Sequence, residues 1–280
     1  MTHSFFPKFF RHIQSFLTVS AVAGASALAS TAVQAADSGP ARQTIVLVHG
    51  AFADSASWNA VTASLLSQGY PVVAVANPLR SLKGDAAYVG GVVASIAGDV
   101  VLVGHSYGGA VITNAASGKA NVKALVFVAA FAPDGGESAL QLSGRFPGST
   151  LGEALAVPVA LADGGKDLYI QQARFHQQFA ADVPEREARL MAAGQRPITE
   201  AALGEGSGTP AWKAIPSWFI HGDADKNIPP AAMRFMAQRA GSRHTEEVKG
   251  ASHVVMTSHP VEVTKMIVEA AGAVAQVAAR

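Results

Sequence analysis

The 280-residue chain contains no cysteine. Disulfide bridges, thiolate metal sites and a lipid-anchored cysteine are thereby excluded, and the fold must be held by packing. Charge is also scarce, at 15% of residues against 49% hydrophobic, and nearly balanced, with 21 Lys plus Arg facing 20 Asp plus Glu. No basic patch of the kind that tracks a phosphate backbone is present, which excludes nucleic acid as a partner. There is no twin arginine near the start, no internal repeat and no long low-complexity tract after residue 35.

The N-terminus reads separately from the rest. Lys8 and Arg11 precede an uncharged stretch, 13–32, rich in Ala, Val and Leu, and "VQA" at 33–35 supplies the small residues a signal peptidase requires. A secretory signal with cleavage after Ala35 is expected, and with it a periplasmic or secreted protein with no membrane association once the signal is gone. Ala, Ser and Thr dominate the stretch, which argues against a retained span. Loss of the two basic residues leaves 19 against 20 acidic ones, a net charge of about −1.

Beyond residue 43 the chain alternates. "TIVLVHG" (44–50), "PVVAVANP" (71–78), "VVLVG" (100–104) and "ALVFVAA" (124–130) are apolar, β-branched runs, and helical segments over 57–68, 82–97 and 107–117 separate them. Strands apolar on both faces and spaced by helices predict βαβ units and an α/β fold with a mostly parallel sheet. The alternation then stops over 132–216 and resumes with "SWFIHG" (217–222), a helix over 229–240, a strand near 244–248 and a final helix from Pro260 to about 274. An insertion of that length between two strands is too long for a connection, so a helical lid is expected there.

"GHSYGG" (104–109) places one serine between glycines at the point where a buried strand meets a helix. A turn that sharp leaves no room for a Cβ at Gly104 or Gly108. It also lifts the Ser106 hydroxyl above the carboxyl end of the sheet, beside the free N–H groups of a helix start. A phosphate cradle would need a lysine and a longer glycine spacing, both missing. Ser106 is therefore the candidate nucleophile, and a serine nucleophile needs a base, an orienting acid and donors for an oxyanion.

"HGDADKNIPP" follows a strand and supplies two carboxylates; "KGASHVVMTSHP" follows the last strand and supplies a histidine. Asp225 is preferred over Asp223 because it sits deeper in the loop, where it can reach a neighbouring turn, while Asp223 suits loop capping. His253 is the candidate base; His49, His105 and His221 read as packed, hydrogen-bonded residues, with His105 turned away from Ser106. The backbone N–H groups of Tyr107 and Ala51 are the expected oxyanion donors, with Phe52 as the alternative to Ala51. Phe146, Tyr169, Phe175, Phe179 and Trp212 either wall an apolar pocket or pack the lid onto the sheet.

The segments "LVHGAF", "GHSYGG", "GDADKNIP" and "SHVVMTSHP" together resemble the α/β-hydrolase superfamily over 44–274, and more narrowly small lidded esterases related to plant methylesterases and hydroxynitrile lyases. The resemblance implies an α/β-hydrolase fold with about six core strands and Ser106, Asp225 and His253 as the triad. It departs from the lyase branch, where a threonine stands at Gly50 and a lysine follows the catalytic histidine; here Val254 follows His253. The expected activity is hydrolysis of a small, fairly apolar ester, a small-molecule partner, through an acyl-enzyme without metal or organic cofactor. Carbon–carbon, amide and haloperoxidase-like chemistry use the same triad, and a ligand-sensing protein of slow turnover is the alternative outside catalysis.

Overall fold

The computed structural model describes residues 42–278, so the leader expected over 1–35 lies outside the described residues. The first half runs β1 (Thr44–Val48), a 3-10 turn (Ser55–Trp58), α1 (Asn59–Ser67), β2 (Val72–Val75), α2 (Leu82–Ala94), β3 (Val100–His105), α3 (Tyr107–Ala115) and β4 (Val122–Val128). The inserted segment holds α4 (Ala139–Arg145), α5 (Leu151–Ala154), β5 (Val159–Ala160), β6 (Lys166–Leu168), α6 (Gln172–Phe179), α7 (Glu185–Gly194), β7 (Ile198–Thr199) and α8 (Glu200–Gly204). The chain closes with β8 (Ser217–Gly222), α9 (Pro230–Arg239), β9 (Thr245–Val248), α10 (Val255–Ser258) and α11 (Pro260–Ala278).

Six strands form one parallel sheet in the order β2-β1-β3-β4-β8-β9. This is the α/β-hydrolase fold. Every residue of β3 and β8 is buried, as is nearly all of β1 and β4, because helices cover both faces. The order reverses between β1 and β3, so the loops leaving those strands diverge and open a crevice at the carboxyl edge. Ser106 stands at that edge. Ser81 starts α2 by accepting from the Gly84 N–H (3.1 Å), and Asp54 caps the 3-10 turn from the Ala56 N–H (2.8 Å).

The insertion is a mixed cap rather than a purely helical lid: β5, β6 and β7 make a three-stranded antiparallel sheet among its helices. Those strands are two or three residues long, below the length at which alternation shows in a sequence. Helix α2 ends at Ala94, earlier than residue 97, and runs unbroken through Gly90 and Gly91. Arg80, in the loop after β2, ties the cap down. Its Nη1 donates to Asp167 (2.6 Å) and its Nη2 to the Pro197 carbonyl (2.7 Å), while Thr199 Oγ1 donates to the Arg80 carbonyl (2.7 Å).

His49, just past β1, joins the first two strand ends from full burial. The Asn77 N–H donates to Nε2 (3.0 Å), which fixes the neutral tautomer with Nδ1–H donating to the Gly50 carbonyl (2.9 Å). Burial lowers its pKa from 6.5 to about 4. The unfolded chain therefore takes up a proton between pH 6.5 and 4 that the folded chain refuses, and stability present above 6.5 is lost as pH falls through that window. His49 contributes about 3 kcal/mol to this loss by pH 4. Urea melts from pH 7 to pH 4 are expected to show it, with a shallower pH dependence in His49→Asn; equal slopes in the two proteins would remove His49 as the cause.

Candidate active site

The turn from β3 into α3 forces Ser106 to φ 54 and ψ −124, a conformation an L-residue rarely adopts. Three glycines permit it. A Cβ on Gly104 would stand 2.6 Å from the Gly108 carbonyl oxygen, one on Gly108 2.4 Å from the Val48 oxygen, and one on Gly50 2.6 Å from the Ser106 Cβ. The strained residue is held on both sides, its N–H donating to the Val128 carbonyl (3.2 Å) and its carbonyl accepting from the N–H groups of Gly109 (3.0 Å) and Phe131 (3.1 Å).

The loops after β8 and β9 bring Asp225 and His253 to this serine. His253 Nδ1 lies 2.6 Å from Asp225 Oδ2 and its Nε2 lies 2.9 Å from Ser106 Oγ, with all three residues buried. The Nδ1 proton goes to the carboxylate, which leaves Nε2 unprotonated and able to accept from the hydroxyl. Asp225 Oδ1 accepts from the N–H groups of Asn227 (2.7 Å) and Ile228 (3.0 Å), so its negative charge is met without a cationic side chain. Asp223 is turned away and accepts from the Gly250 N–H (2.6 Å), which makes it a loop cap.

The choice between Ala51 and Phe52 follows from a hydrogen bond already made. The Phe52 N–H donates to the Arg196 carbonyl (3.0 Å), whereas neither the Ala51 N–H nor the Tyr107 N–H is engaged by a backbone oxygen among the described residues. Tyr107 is itself pinned by its phenol, which donates to the buried Asp85 Oδ2 (2.9 Å); burial pushes both pKa values up. Asp85 escaped the sequence reading. Its only signal in the sequence is that it is the one charged residue between Lys83 and Asp99.

A cavity of about 60 Å3 lies over Ser106 and His253. Its walls are mainly apolar, with Phe52, Phe131, Leu140, Leu151, Phe179 and Leu203 among them, and Ser143 and Asn227 add polar groups. Of the five aromatic residues proposed for the pocket, Phe179 alone lines it. Phe175 packs behind Phe179 (5.0 Å between rings), Phe146 packs on Phe235 (5.4 Å), Trp212 donates to the Pro133 carbonyl (2.9 Å), and Tyr169 lies outside the lining. Among the described residues no group of three or more His, Asp or Glu is placed to hold a metal ion, and no helix is long and apolar enough to cross a membrane.

With the geometry in view, comparison with known proteins gives the lineage. The model of the Alpha/beta hydrolase family matches residues 45–265. The chain belongs to that family. A carbendazim hydrolyzing esterase of Nocardioides sp. (strain SG-4G) is 34% identical over 113 residues, a match covering 35% of this chain and 46% of that protein. Norfluorocurarine synthase 2 of Strychnos sp. is 26% identical over 253 residues, 80% of this chain and 93% of its own length. Among solved structures, polyneuridine aldehyde esterase superposes with a TM-score of 0.71 at 21% identity, covering 81% of this chain and 98% of that one. That likeness shows the shared fold.

His105 has a role that the neighbouring serine obscured. Fully buried, it donates from Nε2–H to the His253 carbonyl (3.1 Å) while the two rings pack 4.8 Å apart. Burial and the adjacent His253 hold its pKa well below 6.5, so it stays neutral beside the candidate base. It fixes the backbone from which His253 reaches the hydroxyl. His105→Phe is expected to slow the reaction of Ser106 with a fluorophosphonate about tenfold, and His105→Gln, which retains an N–H donor, to restore most of it. Equal rates in both variants and wild type would remove this positioning role.

Proposed function

We propose that the chain is a serine carboxylic-ester hydrolase acting through an acyl-enzyme on small, mainly apolar esters. The observation that carries this reading is the continuous relay from Asp225 through His253 to Ser106, at 2.6 and 2.9 Å, beside two unspent backbone N–H groups. As Ser106 Oγ attacks the ester carbonyl carbon, His253 Nε2 takes its proton, and Asp225 stabilises the imidazolium and holds its tautomer. The Ala51 and Tyr107 N–H groups receive the charge that develops on the carbonyl oxygen, each contributing a factor on the order of 10²–10³. His253 then protonates the departing alkoxide, and the same nitrogen takes a proton from the water that releases the acid.

Two of the three relatives, the carbendazim hydrolyzing esterase and polyneuridine aldehyde esterase, are esterases by name, which supports ester chemistry, and the apolar walls support an apolar acyl or alcohol group. Crowding at Gly50 argues against the lyase branch: the Cβ of a threonine there would meet Ser106 Cβ at 2.6 Å unless the turn shifted. The proposal also includes export, on the strength of the leader over 1–35.

A fluorophosphonate is expected to label wild type at Ser106, and Ser106→Ala to lose label together with at least 10³-fold in esterase rate. An unlabelled wild type, or an active Ser106→Ala, would overturn the mechanism. A cavity of about 60 Å3 favours short chains. In a p-nitrophenyl ester series, kcat/KM is expected to peak between about two and five acyl carbons and to fall tenfold or more by eight; a rising series would contradict the pocket assignment. Expression with the leader intact in a bacterial host is expected to yield exported protein beginning at Ala36, and a full-length cytoplasmic product would end the export proposal.

A further inference from the structure

Asn227, two residues beyond Asp225, lines the cavity over Ser106 although it is only 3% exposed. The orientation of its amide follows from its partners. Gln178, on α6, has one side-chain atom 2.9 Å from the Lys226 carbonyl oxygen; a carbonyl only accepts, so that atom is Nε2. The same Nε2 lies 3.0 Å from Asn227, which must present Oδ1 to it. Thr150 Oγ1 donates to the other end of Gln178 (2.8 Å) and locks the amide. The Asn227 Nδ2 group is thus left with two N–H bonds and one long contact, 3.4 Å, to the Gln178 carbonyl.

A buried amide with an unspent N–H on an apolar cavity is costly unless a ligand completes it. Ser143 adds a second donor to the same wall: its Oγ makes only a long contact, 3.4 Å, to the Asn227 carbonyl. Neither group is needed to align the relay, since Asp225 uses the backbone N–H of Asn227 and not its side chain.

Resting on the ester-hydrolase reading, we infer that Asn227 Nδ2, with Ser143 Oγ, forms a polar subsite selecting esters that carry a second acceptor oxygen a few atoms from the scissile carbonyl. An ether, ketone or hydroxyl oxygen meets that description. A plain alkyl chain in the same space leaves both donors unpaired. An enzyme with a purely apolar pocket would show the opposite preference, because an ether oxygen would lose its water on entering.

Two isosteric ester pairs test this: p-nitrophenyl 3-methoxypropanoate against p-nitrophenyl pentanoate for the acyl side, and 2-methoxyethyl acetate against butyl acetate for the alcohol side. In wild type, one pair is expected to show about a tenfold higher kcat/KM for the oxygen-bearing ester, after correction for their intrinsic hydrolysis rates in buffer. Asn227→Leu is expected to abolish or reverse that ratio. Asn227→Ser, too short to reach, serves the same purpose if the leucine variant does not fold.

No oxygen preference in either wild-type pair, or an unchanged ratio in a folded variant, would overturn the subsite. Binding of the same esters to Ser106→Ala, followed by calorimetry, separates the two claims. Oxygen-selective binding without turnover in wild type would sink the hydrolase reading and keep the subsite, whereas turnover without selectivity would do the reverse.

Discussion

The site depends on how tightly the turn after β3 passes the strand end and loop of β1. Gly108 and the Val48 carbonyl, Gly104 and the Gly108 carbonyl, and Gly50 and the Ser106 side chain all meet at distances that a Cβ would violate. The gain from this crowding is direction. An unstrained turn would lay the Ser106 side chain along α3; the turn at φ 54 lifts it clear and leaves the Tyr107 N–H free beside it. A residue so placed costs on the order of 1–3 kcal/mol, and the hydrogen bonds from β4 and α3 to both sides of its peptide unit prevent relaxation. Gly222 repeats the device at the acid loop, where a Cβ would stand 2.0 Å from the Ala251 carbonyl oxygen, so the β8 and β9 loops close on each other behind Asp225 and His253.

Once the turns are fixed, charge decides what the histidines do. Four are buried near the carboxyl edge, and burial favours the neutral form of each of the three that take no part in the relay, His49, His105 and His221. Their hydrogen bonds agree with that state, since His49 accepts from one N–H and His105 leaves Nδ1 without a partner. A charged His105 ring 4.8 Å from His253 would oppose the proton that the base must accept. His253 faces the buried carboxylate of Asp225, which is satisfied by main-chain N–H groups rather than by an arginine that would weaken its pull on the imidazole, whereas His221 meets Glu247, a carboxylate shared with Arg234.

The main sheet was legible because β1, β3, β4 and β8 are apolar runs buried on both faces over nearly all their length, whereas β9, four residues of TEEV with two of them exposed, is readable only from its place between two helices. The grouping of Ser106, Asp225 and His253 was legible from chain order, since each follows a strand at the same edge of a parallel sheet. What escaped notice depends on three-dimensional reach. Nothing local in "GHSYGG" says that His105 supports the backbone of a residue 148 positions away. Asp85 and Tyr107 are separated by a strand and a loop, and their pairing exists only because α2 packs on α3. The cap was the least readable part. Its strands are too short to carry a period, and four of its five suspected pocket aromatics turn out to pack elsewhere.

The cap is also no addition to a finished site. From α6, Phe179 packs its ring 5.0 Å from His253, and Gln178 donates to the Lys226 carbonyl between the acid and Asn227. Just beyond α6, Asp182 accepts from Ser252, the residue preceding the base. Three contacts from one short stretch thus hold both loops that carry the relay. A fragment lacking the cap would expose the apolar face of His253 and unpair the Asp225–Ile228 loop, so the sheet alone, however complete its strands, would not keep the 2.6 and 2.9 Å spacings. The insertion that breaks the βαβ rhythm of the sequence is part of what positions the chemistry at the sheet edge.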